Sequence, residues 1–196
     1  MIEKISRNRV NGFLKAEERR IVNSKGEEFL PLGVAFGNWL LCEGNMWAFG
    51  EGNPYDRPRR FETLIRDLCG SAYATGFWKR FRDNFITEAD VEAIADIGFN
   101  SVRIPINWRV LMEDEPGIAF IEEGFQLIDR CIDWCEKYHL YVFLDLHGAP
   151  GGQTGAHIDD SIDNKPRLFM DADSYEKCLA LWREIARRYR DRWIVG

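Results

Sequence analysis

The sequence contains no run that approaches the roughly 18 consecutive apolar residues needed to cross a bilayer. No apolar segment follows the basic residues near the N-terminus, which argues against a secretory signal. The five cysteines are an odd number and form no Cys-x-x-Cys pair, a pattern typical of reduced thiols rather than of disulfides or a zinc site. We therefore expect a cytoplasmic protein with no membrane partner and no bound metal.

The sequence also lacks an excess of positive charge. Its 26 Lys and Arg residues against 32 Asp and Glu residues give a net charge of −6, which disfavours a nucleic-acid partner. Neither a G-x-G-x-x-G nor a G-x-x-x-x-G-K-[ST] motif follows the first predicted strand, so no nucleotide cofactor is expected. The composition is otherwise that of a globular protein, with 45% hydrophobic residues.

Strand and helix patterns alternate along most of the chain. Residues 10–30 predict a β-hairpin, and an apolar run at 30–36 predicts a strand buried on both faces. An aromatic-rich, partly helical excursion occupies residues 42–86. The pattern then predicts helices at 87–98, at 121–138 and from 173 onward, strands at 101–106 and 141–146, and the opening of a further strand at 193–196. This order indicates right-handed crossovers and a parallel sheet.

Candidate functional residues follow each complete strand of the predicted parallel sheet. Asn38 and Glu43 follow the first strand, Asn107 and Trp108 the second, and His147 the third. Functional residues gather at the carboxyl ends of the strands in a (β/α)8 barrel, so this fold is favoured over a doubly wound sheet. We predict an α/β chain in which residues 1–196 are the N-terminal half of a TIM barrel, with strands 1–3 complete and strand 4 beginning.

Three motifs in this order resemble glycoside hydrolase family 5, in its cellulase and β-1,3-glucanase-like branches. They are G-V-A-F-G-N-W-L at 33–40 with Glu43, V-R-I-P-I at 102–106, and L-D-L-H-G-A-P-G-G-Q at 144–153. The resemblance implies a hydrolase that cleaves O-glycosidic bonds in β-glucans or related β-glycosides by a retaining mechanism. Its partner would be a carbohydrate substrate.

The resemblance also suggests roles for individual residues. It implies that Arg103 lies beneath the catalytic nucleophile, that His147 faces the sugar, and that Glu43 binds sugar hydroxyls. Strand parity places Asp145 on the same side as His147 and allows it to meet Arg103 in a buried polar network. Asn107 is a further candidate for substrate binding.

The aromatic residues have two readings, as sugar platforms or as core. Trp47 and Trp108 are kept as candidate walls of sugar subsites, because flat rings stack on the apolar faces of sugars. We assign to packing the phenylalanines that follow helical spacing: Phe61, Phe77, Phe81 and Phe85.

Retaining glycosidases need two carboxylates about 5–5.5 Å apart. The resemblance places the acid/base glutamate in an Asn-Glu pair at the end of the fourth strand and the nucleophile at the end of the seventh. Neither lies within these 196 residues, so we expect the chain alone to be inactive, with an open parallel edge that allows self-association. Two alternatives stay open. One is a non-catalytic carbohydrate-binding or interaction module. The other is a metal-dependent hydrolase that uses Asp145, His147, His157 and Asp159.

Overall fold

The computed structural model describes residues 10–49 and 52–196. The argument against a secretory signal depends on residues 1–9, which lie outside this range. Within the described part of the chain, no helix is long and apolar enough to cross a membrane.

The molecule is an α/β protein with a short hairpin and a parallel sheet. Strands β1 (Lys15–Glu17) and β2 (Arg20–Val22) pair antiparallel inside the predicted hairpin segment. Strands β3 (Gly33–Ala35), β4 (Ser101–Asn107) and β5 (Tyr141–Gly148) form a three-stranded parallel sheet in that order. The alternation of strands and helices therefore yields the parallel pairing that the sequence predicts.

The helices predicted at 87–98, at 121–138 and from 173 onward lie close to those limits, and two more helices occupy part of the aromatic-rich excursion. In chain order the helices are α1 (Pro58–Cys69), α2 (Ser71–Phe85), α3 (Glu88–Ile97), α4 (Glu122–Lys137) and α5 (Ala172–Tyr189). Pro58 occupies the first turn of α1, and α3 starts at a capping box formed by Thr87 and Asp90. Gly98 ends α3 in the left-handed conformation, as expected for a glycine at that position.

One face of the sheet is covered and the other is open. Val102, Ile104 and Ile106 of β4 are at most 1% exposed and pack in one core with Ile128 and Ile132 of α4. The opposite face carries Ala35 and Arg103, both exposed, and the half-buried Phe143, which pairs in register with Arg103. The prediction that the first strand is buried on both faces is therefore wrong, because nothing in the described structure covers this side.

The apolar spacing of helix α5, which includes Tyr175, Trp182, Ile185 and Tyr189, predicts one buried stripe, and the structure buries only part of it. Ile185 and Tyr189 are 5% and 6% exposed, whereas Tyr175 and Trp182 are 51% and 42% exposed. Lys177 is only 4% exposed, and its ammonium group donates to the carbonyl of Glu115 (2.8 Å) and lies 5.3 Å from the Trp108 ring centre. The long aliphatic stem of lysine fills space in the core, while its charged end finds partners at the margin.

The aromatic excursion forms a second, smaller core. Phe61 and Trp78 are buried there, with Phe77 and Phe81 packed against them, as the helical spacing predicts. Phe85 lies at the edge, 40% exposed, with its ring centre 4.8 Å from that of Phe81. The packing assignment is therefore confirmed for three of the four phenylalanines and only partly met by the fourth.

Candidate active site

Three polar side chains meet on the open face of the sheet. The guanidinium of Arg103 in β4 donates to Asp145 Oδ2 in β5, and its Nη2 lies 3.0 Å from His147 Nδ1. His147 Nδ1 also lies 3.1 Å from Asp145 Oδ2. The predicted contact of Arg103 with Asp145 is confirmed, but the network is not buried: the three side chains are 44%, 29% and 29% exposed.

Adjacent strands hold this Arg103–Asp145–His147 cluster in place. Asp145 and His147 are two residues apart in β5 and share a face, and Pro105, two residues after Arg103, pairs in register with Asp145. Arginine stays protonated at any ordinary pH, so the cluster presents a fixed cation beside a carboxylate. When Nδ1 of His147 accepts from Arg103, the ring proton sits on Nε2 and can be donated to a ligand.

The turn after His147 is fixed by hydrogen bonds to its own backbone. The side chain of Gln153 donates to the carbonyl of His147 (2.5 Å) and accepts from the backbone N–H of Ala149 (3.0 Å). Gly152 adopts a φ of +79°, and a Cβ there would lie 2.9 Å from Ser161 Cα. The glycine-rich stretch thus permits a close approach of two loops beside the cluster.

Two predicted substrate-binding residues lie in the packed interior at the end of β4. Asn107 is 2% exposed, and its amide donates to Asp160 Oδ2 (3.0 Å) and accepts from the N–H of Arg109 (3.2 Å). Trp108 is 3% exposed beneath the ammonium group of Lys177. Both residues help to shape the end of the strand, and their contact with substrate stays a prediction.

The other two candidates lie in the segment that follows β3. Glu43 is half-buried and precedes a single 3-10 turn at Gly44–Trp47. Trp47 packs its ring 4.6 Å from that of Phe61, and its indole N–H donates to Asn38 Oδ1 (2.6 Å). Trp47 is therefore held by a hydrogen bond and by ring packing, and it does not belong to the Arg103–Asp145–His147 cluster.

An ionic network beside Asn107 was missed by sequence reasoning. The side chain of Asp160 is completely buried. Its carboxylate accepts hydrogen bonds from Arg109 Nε and from the backbone N–H of Arg59, both at 2.8 Å. Arg109 also donates to Glu62 (2.7 Å). Burial opposes the charge of Arg109, but Asp160 and Glu62 together raise the pKa of its guanidinium above the ordinary range. The partners are 47 to 101 residues apart, so no local motif reveals them.

A neighbouring buried pair joins two loops. Arg57 bonds to Asp56 next to it and reaches the carbonyl of Ser161 (2.5 Å) and the amide of Asn164 (2.7 Å). Burial favours the neutral form of Asp56, yet Arg57 and Arg60 hold the pKa of this carboxyl below its ordinary value. These contacts bring residues 52–60 against 154–164, and a polar cavity of about 570 Å³ lies between the two loops.

The four candidate metal ligands, Asp145, His147, His157 and Asp159, are not assembled into one group. Among residues 10–49 and 52–196, no three or more His, Cys, Asp or Glu side chains are placed to hold a metal ion. Asp159 instead accepts from the hydroxyl of Thr154 (2.7 Å) and from the N–H of Ser161 (3.2 Å), which shapes the loop.

The three-stranded parallel sheet with helices between its strands is an α/β fold. The fold matches that of a rutinosidase from Aspergillus niger with a TM-score of 0.65 and 15% identity, over 86% of this chain and 47% of that one. An endogalactoceramidase structure matches with a TM-score of 0.58 and 19% identity, over 94% of this chain and 42% of the other. The molecule thus shares the α/β fold of TIM-barrel glycosidases over part of their length.

The sequence profile of the cellulase family (glycosyl hydrolase family 5) matches residues 62–196, and the chain belongs to this family. It is 32% identical over 185 residues to a beta-xylosidase from Phanerodontia chrysosporium, covering 94% of this chain and 38% of the relative. A probable glucan 1,3-beta-glucosidase A from Aspergillus clavatus is 30% identical over 181 residues, covering 90% and 41%. The chain therefore spans about two fifths of the length of these relatives.

Proposed function

We propose that this chain forms the first part of a retaining glycoside hydrolase that cleaves β-glucans or related β-glycosides. The observation that carries the proposal is the Arg103–Asp145–His147 cluster on the open face of the parallel sheet. In a complete barrel this face is the interior, and catalytic side chains occupy the ends of its strands. Membership of glycosyl hydrolase family 5 supports a carbohydrate substrate.

The three-stranded sheet corresponds in this proposal to the first three strands of a (β/α)8 barrel. Val195 forms a parallel bridge with Val142 of β5, which supports the start of a fourth strand at this position. The segment after β3 likewise continues beside β4 through a bridge between Leu40 and Ile106. The finer architecture, in which residues 1–196 are about half of the barrel domain, rests on these bridges and on the coverage of the relatives.

Each candidate residue has a role in the proposed enzyme. Arg103 holds a neighbouring nucleophilic carboxylate in its ionised form, because a fixed cation favours the charged state. His147 donates from Nε2 to a sugar hydroxyl. Glu43, together with Trp47, Asn107 and Trp108, contributes to the substrate cleft, and the two catalytic glutamates come from the remainder of the protein.

The continuing reading frame tests the proposal directly. We expect an Asn-Glu pair soon after Gly196, and we expect the protein expressed with that continuation to hydrolyse an aryl β-glucoside or a soluble β-glucan. A frame without such a pair, or a folded full-length protein inactive on a panel of β-glycosides, would contradict it. Binding of glucans without any hydrolysis would favour the carbohydrate-binding module instead.

Two matched substitutions test the cluster in the active protein. Arg103→Lys replaces the forked donor with a point charge and should lower kcat about 100-fold, the loss typical of one preorganised electrostatic group. Arg80→Lys, an exposed change on α2, is the control and should leave kcat unchanged. His147→Asn should likewise lower kcat, whereas His139→Asn should not. Rates at the control level in either cluster variant would remove the role assigned to that residue.

We further propose that the protein is cytoplasmic and that the chain associates with itself. Cell fractionation with immunoblotting tests the cytoplasmic location. Association through the edge of β3 that pairs with no strand in the described part of the chain predicts a concentration-dependent dimer in light scattering, and a monomer at all concentrations would contradict it.

A further inference from the structure

A cavity of about 480 Å³ lies between helices α1 and α2 and the turn that follows β4. Its lining includes Glu62 and Arg66 from α1, Trp78 and Arg82 from α2, and Arg109. A second cavity of about 370 Å³ shares Arg82 and Arg109 with it. Neither cavity shares a lining residue with the Arg103–Asp145–His147 cluster.

The charge of the larger cavity is opposite to that of the whole chain. Three arginines and one glutamate line it, in a protein whose net charge is −6. Glu62 and the buried Asp160 already pair with Arg109. Arg66 and Arg82 make no ion pair with any residue in the described part of the chain; Arg66 donates to the hydroxyl of Thr63, and the guanidinium of Arg82 lies 6.0 Å from the Trp78 ring centre.

Two residues that line this cavity also carry a buried donor with no partner within the described residues. These donors are Nη2 of Arg109 and the indole Nε1 of Trp78, whose residue is 8% exposed. Buried donors are almost always hydrogen-bonded, and an unmade bond costs stability. The other two donor nitrogens of Arg109, Nε and Nη1, are already bonded to Asp160 and Glu62, which leaves its Nη2 as the group for a ligand.

We propose that this cavity binds a tetrahedral oxyanion, such as a phosphate or sulfate group. The oxyanion would accept hydrogen bonds from Arg109 Nη2 and Trp78 Nε1 and would lie beside the charge of Arg82. An arginine fork and an indole N–H are donors only, so they suit a ligand that is purely an acceptor. The volume is larger than one ion needs, so the group can be free or carried by a larger molecule.

Calorimetric titration of the 196-residue chain tests the proposal. Inorganic phosphate and glucose 6-phosphate are titrated separately at constant ionic strength, with chloride as the balancing anion. We expect saturable binding of at least one of them. Tighter binding of glucose 6-phosphate assigns the site to a phosphorylated molecule, and equal binding assigns it to the free ion. Saturation by neither probe overturns the proposal.

Two variants locate the binding. Arg82→Gln should weaken it at least about tenfold, the effect of one hydrogen bond or close contact to a charged group. Trp78→Phe keeps an aromatic side chain but removes the pyrrole part of the indole with its N–H donor, and it should also weaken binding. Arg80→Gln, on the same helix but outside the cavity lining, is the control and should bind as the unchanged protein does. Equal affinity in Arg82→Gln and Arg80→Gln would place the anion elsewhere and overturn the assignment.

Discussion

Replacing Asp160 with asparagine should destabilise the protein severely, because this carboxylate balances buried positive charge. Its side chain has no exposed surface, and it accepts hydrogen bonds from Asn107, from Arg109 and from the backbone of Arg59. Asparagine has the same shape and tolerates the φ of +61° at this position. The substitution therefore removes the charge and turns an N–H₂ group toward donors, with little effect on backbone conformation.

The expected loss of unfolding free energy in Asp160→Asn is large in comparison with the total stability of a domain of this size. Removing one partner of a buried ion pair costs about 3–5 kcal/mol, out of a total of about 5–15 kcal/mol. With a urea m-value of about 2 kcal/mol/M, the unfolding midpoint should fall by about 2 M. Urea unfolding followed by tryptophan fluorescence measures this shift.

Asp163→Asn is the matched control, since it is the same change in the same loop. Asp163 accepts from the Arg167 guanidinium at 2.6 Å, but the two side chains are 32% and 42% exposed. Exposed ion pairs contribute about 0–1 kcal/mol, so its midpoint should move by about 0.5 M or less. Equal shifts for the two variants would refute the idea that Asp160 is held in a buried charge network.

Two further changes test packing and acid stability. Gly124→Ala should destabilise the protein strongly in thermal unfolding, because a Cβ at Gly124 would lie 1.9 Å from the carbonyl oxygen of Val110; an unchanged melting temperature would contradict this contact. Hydrogen bonds from Arg187 and Arg188 lower the pKa of Glu184 to about 2 from 4.5, so these bonds stabilise the fold fully above pH 4.5 and are lost as the pH falls toward 2. The unfolding free energies of the unchanged protein and Glu184→Gln should therefore differ by about 1 kcal/mol at pH 7 and converge as the pH falls through 2; a gap that persists below this pH would exclude this ionisation as its cause.

The sequence was most informative where interacting residues are close along the chain. The capping box of Thr87 and Asp90 and the glycine at 98 predict both ends of α3, and both ends are observed. Strand parity, a similarly local rule, predicts that Asp145 and His147 share a face, and neighbouring strands then allow Arg103 to meet Asp145.

Long-range partners escaped prediction for physical reasons. Periodicity treats a lysine as polar, so it cannot indicate that Lys177 is buried by its stem while its ammonium group bonds to Glu115. The environment of Asp160 is created by segments 51 to 101 residues away in the chain, and a lone aspartate in a loop gives no sign of them. Burial of Asn107 follows from the same network and was equally invisible.

The Arg103–Asp145–His147 cluster on the open face of the sheet bears on the aggregation of the newly made chain. The N-terminal part of a protein leaves the ribosome first, and its exposed strands are prone to stack on other chains. Arg103 and Asp145 stand in the middle of this face, and stacking would strip water from both. An ion pair at this position therefore opposes the stacking of other chains on the exposed face of the sheet.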